Sequence, residues 1–137
     1  MAVKLIAVSS DNIETAWDDV KKYIGDGLDY ADGKFKPEDI KRSLLERDMQ
    51  LWVAYNVEKQ SAVGCGVTQI LVYPQEKRIM FFLAAGDTSS DLLGLLEPIY
   101  DWGRQQGCSA VELYGRKGWT KLLKDYEQIH VVLRKRL

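Results

Sequence analysis

The chain holds one histidine, His130, and two cysteines, Cys65 and Cys108, so the acid–base, nucleophilic and metal chemistry open to it is narrow. A Ser/His/Asp arrangement would have to be built on His130, which stands in QIHVVL and reads as a half-exposed strand residue. No site needing two histidines is available, and no CxxC, HExxH or P-loop pattern occurs. Two cysteines cannot make a disulfide framework. Cys65, flanked by apolar residues and glycines, reads as a small buried hydrophobe. Glu112 and Tyr114 lie in the run SAVELY, where a carboxylate or a phenol could serve a site, although packing or surface is the ordinary role of either. Thr88, Ser89 and Asp91 stand before a helical stretch and read as capping residues. Arg134, Lys135 and Arg136 form a short basic end that reads as a solvated terminus.

The elements that position these groups follow from spacing. Residues 3–8 (VKLIAV) predict a first strand. Ser10 or Asp11 caps a helix, with Asp11 and Glu14 as a capping pair. Ile13, Ala16, Trp17, Val20 and Ile24 then share a helical face, and Gly25 and Gly27 end it. Pro37 suits the first turn of a second helix over 37–48, with Ile40, Leu44 and Leu45 inward. Three strand-like runs follow at 50–56, 62–73 and 78–85, joined by short turns and so paired as antiparallel hairpins. A long helical stretch covers 89–106. Pro98 inside it predicts a bend, or a second helix starting at Glu97–Pro98, and Gly107 ends it. Residues 109–114 form a strand, parallel to 78–85 by a right-handed crossover. A helix over 117–126 and a strand over 128–136 close the chain. Trp17 and Trp102 fit inward helix faces, while Trp119, after Gly118, is open to a core or a partly exposed reading.

The 137 residues fit a single domain over 1–137, large enough to bury roughly two thirds of the unfolded surface. Charged residues are 28% and hydrophobic ones 46%, a globular composition. A net charge of −1 argues against nucleic acid as a partner. No run approaches the ~18 apolar residues of a membrane span, and the apolar start is too short for a signal peptide. A cytoplasmic location and no membrane partner are expected.

The order β-α-α-β-β-β-α-β-α-β, an α/β (α+β) mixed sheet with helices on both faces, resembles the GNAT superfamily of N-acetyltransferases over nearly the whole chain. The last third, WGRQQGCSAVELYGRKGW, LLKDYE and VVLRKRL, is similar to small GNAT-like proteins of phages and prophages. That second resemblance would place the protein in the host cytoplasm or the virion. The first implies acetyl-CoA as the cofactor, entering a notch where the two parallel strands splay. Amides after the fourth strand and at the next helix N-terminus would hold its pyrophosphate. The matching residues are Leu83, Ala85, Asp87, Thr88, Ser89 and Ser90.

This sequence departs from the family there. The family motif is Arg or Gln, two residues, Gly, one residue, then Gly or Ala. Residues 83–91 carry one glycine, no Arg or Gln, and two aspartates, Asp87 and Asp91, whose charge opposes a pyrophosphate. The family's tyrosine in the last helix, a general acid toward the departing thiolate, falls on Lys121 when Tyr126 is aligned with the aromatic end of its motif. No catalytic residue is thereby assigned and no metal site is expected. The resemblance with these departures implies a non-catalytic accessory or binding domain, with a protein partner or a homo-oligomer. The alternative it implies is an acetyl-CoA-dependent N-acyltransferase acting on an amine. An acyl-CoA binder without transfer chemistry is a third reading.

Overall fold

A computed structural model describes residues 2–29, 33–87, 93–115 and 118–137. Five strands form one sheet in the order β1-β2-β3-β4-β5: β1 (Val3–Val8), β2 (Gln50–Asn56), β3 (Ser61–Val72), β4 (Lys77–Gly86) and β5 (Cys108–Leu113). The first four pair antiparallel, and β4 pairs β5 in parallel. The hairpins and the crossover expected from loop lengths are thus present. The β2–β3 and β3–β4 connections span only a few residues, whereas the β4–β5 connection carries a helix.

One face of the sheet is covered by α1 (Ile13–Leu28) and α2 (Pro37–Leu45). In α1, Ile13, Trp17, Val20, Tyr23, Ile24, Gly27 and Leu28 are buried, an apolar stripe at helical spacing. These pack with Leu51, Val53, Cys65, Val67, Leu83 and Ala85 of the sheet and with Ile40 and Leu44 of α2. The other face carries α3 (Glu97–Gln105) and the short α4 (Trp119–Leu122). There Leu96, Ile99 and Trp119 close over Trp52, Ala54, Ile79, Phe81 and Ala84.

Several boundaries differ from expectation for local reasons. A 3-10 turn, Ser10–Asn12, precedes α1, and the start of the helix has no side-chain cap bond. The Ser10 hydroxyl instead accepts from Arg47 Nε at 3.1 Å. Helix α1 runs through Gly25 and Gly27 to Leu28. Gly27 is a contact surface, where a Cβ would lie 3.1 Å from Leu83 Cδ1. Helix α2 stops at Leu45, which is exposed. Pro98 sits in the first turn of α3, so the expectation of a helix starting at Glu97–Pro98 is the one realised. The expected helix over 117–126 shrinks to four residues. Trp119 at its start is buried in the core.

The predicted final strand over 128–136 is absent: these residues carry neither helix nor strand and are exposed, and β5 is the edge of the sheet. A strand needs a ladder partner. Tyr126 is fixed against Tyr100, hydroxyl to hydroxyl at 2.7 Å. A groove of about 970 Å³ is lined by Val111 and Leu113 of β5 and by Ile129 and Val132 of the last segment, among others.

Candidate functional site

Strand β4 outlasts its parallel neighbour. The β4–β5 register runs from Lys77↔Cys108 to Phe81↔Leu113, where β5 ends, while β4 continues to Gly86. From Phe82 onward β4 is flanked by β3 on one side and by no described strand on the other. The result is a notch along the second half of β4.

A bulge marks where the notch begins. Val67 pairs with Leu83 and Thr68 with Phe81, so Phe82 is the extra residue on β4. A bulged residue is left out of the ladder and turns the strand. Here it also exchanges faces: Ile79 and Phe81 serve the α3 side, while Leu83 and Ala85 serve the α1 side. The Phe82 ring meets Phe35 edge-on, with centroids 4.8 Å apart.

Beyond the bulge the backbone is assigned by alternation. The Asp87 N–H donates to the Val63 carbonyl at 2.9 Å, so these two form a hydrogen-bonded antiparallel pair. Alternation then turns the amides of Leu83 and Ala85 toward β3 and those of Ala84 and Gly86 toward the notch. Leu83 and Ala85 also bury their side chains. The polar backbone facing the notch therefore belongs to Ala84 and Gly86, two positions not singled out in the sequence. The bulge that sets this phase has no signal in residue type.

Asp87 is exposed at the end of β4, and its Oδ1 accepts from the Tyr23 hydroxyl at 3.0 Å. That hydroxyl also lies 3.4 Å from the Ala62 carbonyl. Burial first, and then the hydrogen bond to Asp87, push the Tyr23 phenol up to about 12. Tyr23 is thus a neutral donor at ordinary pH, tying α1 to the notch end of β4. Thr88, Ser89 and Ser90, with Asp91, lie outside the described residues.

The remaining candidates are dispersed. Glu112 is held by Arg78, Nη1 to Oε2 at 3.0 Å, and Arg78 also pairs with Glu76. Tyr114 is exposed just past β5, Lys121 is exposed on α4, and His130 is exposed beyond Tyr126. The Tyr126 phenol is pushed up by burial and by its bond to Tyr100, so it too stays protonated. Cys65 is fully buried, and its thiol is raised to about 12 by burial. Among the described residues, no group of three or more His, Cys, Asp or Glu could hold a metal ion, and no helix is long and apolar enough to cross a membrane.

No protein-family model matches the chain, and no curated protein matches it in sequence. Solved structures do match. An aminoglycoside acetyltransferase, meta-AAC0020, from an uncultured soil metagenomic sample, in complex with sisomicin, superposes with a TM-score of 0.70 at 13% identity, covering 99% of this chain and 97% of that one. A ribosomal-protein-alanine N-acetyltransferase from Brucella melitensis biovar Abortus 2308 gives 0.64 at 14% identity, covering 99% and 96%. A GNAT family acetyltransferase of Staphylococcus aureus gives 0.63 at 11%, covering all of both chains. The chain has the fold of the GNAT acetyltransferases.

Proposed function

We propose that the chain binds an acyl-CoA in the notch beside β4 and transfers the acyl group to an amine. The observation that carries this reading is the early end of the β4–β5 ladder, which leaves Phe82–Gly86 with β3 on one side and no described strand on the other. The likeness to acetyltransferases supports it at the level of fold.

The residues present fit an extended, amide-containing ligand. Gly86, half-buried, offers a backbone donor and acceptor where no described strand pairs with β4, Ala84 beside it is buried under Leu96 and Ile99, and Phe82 with Phe35 supplies an apolar wall. Leu83 and Ala85 brace this stretch of β4 against α1 from behind. Asp87 continues it toward Thr88, Ser89 and Ser90, the residues we assign to the pyrophosphate. The acyl-CoA supplies a thioester: a C–N bond forms as the C–S bond breaks, the amine losing one proton and the thiolate gaining one. The test is calorimetric titration with acetyl-CoA and with CoA, followed by an amine-acceptor screen. Micromolar binding that weakens when Ser89 and Ser90 are made bulky supports the proposal. Absence of binding at millimolar cofactor overturns it.

A second reading keeps the fold without the chemistry: a non-catalytic accessory or binding domain of phage or prophage type. Asp87 favours it, because its carboxylate stands where a pyrophosphate would begin. Under that reading neither acetyl-CoA nor CoA binds.

A further inference from the structure

Between α2 and β2 the chain takes a conformation that its residue type does not favour. Arg47 has φ 67, in the left-handed region that glycine or asparagine ordinarily supplies just past a helix. Backbone closes the turn, the Asp48 N–H donating to the Ser43 carbonyl at 2.9 Å. A glycine would close it as well, so the turn does not require the arginine side chain. Its Nε donates to Ser10 Oγ at 3.1 Å. The two terminal nitrogens are left as a fork of N–H groups, and no carboxylate of the described residues pairs with them.

Arg47 lines a cavity of about 380 Å³ at the corner where β1 ends and β2 begins. It is the one charged side chain among the described lining residues, and none of these belongs to β4 or β5. The apolar walls include Leu44, Met49 and the indoles of Trp52 and Trp102, which meet edge-on with centroids 5.6 Å apart. Gln50, also in the lining, is oriented by a relay. The Trp52 indole can only donate, and gives its N–H to Thr68 Oγ1 at 3.0 Å. Thr68, fully buried, donates in turn to Gln50 Oε1 at 2.9 Å. The carboxamide oxygen is thereby engaged on the sheet, and the NH2 is the end left for the cavity.

We propose that this cavity binds a small aryl-substituted carboxylate. Charge and shape together select that class. A single guanidinium with an open fork matches the two oxygens of one carboxylate, and the Gln50 NH2 adds a neutral donor. A phosphate dianion would call for more positive charge than one arginine carries. The indoles and the Met49 thioether suit one flat apolar ring. The volume sits at the small end of the roughly 300–1,000 Å³ of ligand cavities, room for a single ring on a short acid chain.

The test titrates the full-length chain with 3-phenylpropionate, and in parallel with 3-phenylpropanamide and with acetate, following the side-chain N–H signals of Trp52, Trp102 and Gln50 by NMR. The proposal expects saturable shifts at these groups with millimolar 3-phenylpropionate. The amide should bind about tenfold more weakly or worse, having lost the charge, and acetate, which lacks the ring, should not saturate. Arg47→Gly removes the guanidinium and relaxes the backbone, so its melting temperature should not fall while affinity for 3-phenylpropionate drops by about tenfold or more. Should that variant fail to fold, Gln50→Glu takes its place. It keeps an acceptor for Thr68 and sets a carboxylate against the ligand, and the same loss of affinity is expected. Equal binding of acid and amide overturns the proposal, as does undiminished affinity in the folded variant. So do shifts centred on β4 instead of these groups, or no saturation at tens of millimolar 3-phenylpropionate.

Discussion

The Tyr23 hydroxyl donates to the Asp87 carboxylate at 3.0 Å, joining the middle of α1 to the last turn of chain out of β4. This bond is a polar tie between the helical layer and the notch, beside the apolar packing of Leu83 and Ala85 on α1. Tyr23→Phe keeps the buried ring and removes the donor. Because Asp87 is exposed and water replaces the lost partner, the expected loss is at the low end of the about 0.5–1.5 kcal/mol of an ordinary hydrogen bond. Urea denaturation measures it, and a loss above about 2 kcal/mol would mean that the hydroxyl does more than hold Asp87.

Asp87→Asn tests whether the pyrophosphate lies beside the end of β4. Asparagine keeps an acceptor for Tyr23 and the backbone bond to Val63, and removes one negative charge beside the proposed pyrophosphate position. Like charges at a half-wet site cost on the order of 1 kcal/mol, so CoA should bind about twofold to fivefold tighter. Calorimetric titration of parent and variant checks this. Identical affinities would place the pyrophosphate away from Asp87.

Most of the architecture could be read from the sequence, because hydrophobic spacing and turn lengths are local. The stripe from Ile13 to Leu28, the hairpins of β2, β3 and β4, and the α3 start at Pro98 all follow from neighbours within a few residues. What could not be read depends on contacts distant in sequence. Gly27 looks like a helix stop until Leu83 is seen lying against it. Phe82 looks like any strand residue until the Val67/Leu83 and Thr68/Phe81 pairings reveal the bulge. The segment 128–136 has a strand's pattern, but a pattern cannot say whether a partner is within reach. Of the predicted site residues, Leu83 and Ala85 are buried behind the notch, Asp87 closes its end, and Thr88, Ser89 and Ser90 lie outside the described residues.

Alkaline pH should unfold the protein from within its core. Burial raises the Cys65 thiol from its ordinary 9.0 to about 12, and the Tyr23 phenol rises from 10.0 to about 12. Each group holds its proton more tightly folded than unfolded. Stability is therefore full below pH 9 and is lost as pH climbs toward 12, by on the order of a few kcal/mol in all. Urea midpoints measured from pH 7 to 11 should be flat and then fall. Cys65→Ala should delay the onset by about one pH unit, to where the phenols begin to titrate.

Trp17 tests the α1 layer. Its ring is buried in the cluster with Ile13, Val20 and Leu44, and Lys41 Nζ lies 5.6 Å from the ring centroid. Trp17→Ala should cost roughly 3–5 kcal/mol. A loss of a few tenths would mean that this face is not buried in solution.

Gly64 and Gly86 set how closely β3 and β4 approach at the floor of the notch. A Cβ on Gly64 would lie 2.8 Å from the Ala85 carbonyl oxygen, and one on Gly86 would lie 3.0 Å from that of Val63. Both obstacles are backbone, which cannot rotate aside as a side chain can. Gly64→Ala must therefore push the strands apart, at a cost of about 1–3 kcal/mol. The bond from the Asp87 N–H to the Val63 carbonyl closes the ladder just beyond this pair, so the spreading should weaken it first. In the variant, hydrogen exchange at Asp87 should quicken more than at Val67, deep in the same ladder. Equal acceleration at both would mean that the strain spreads through the sheet, and that the glycine pair does not by itself hold the floor of the notch.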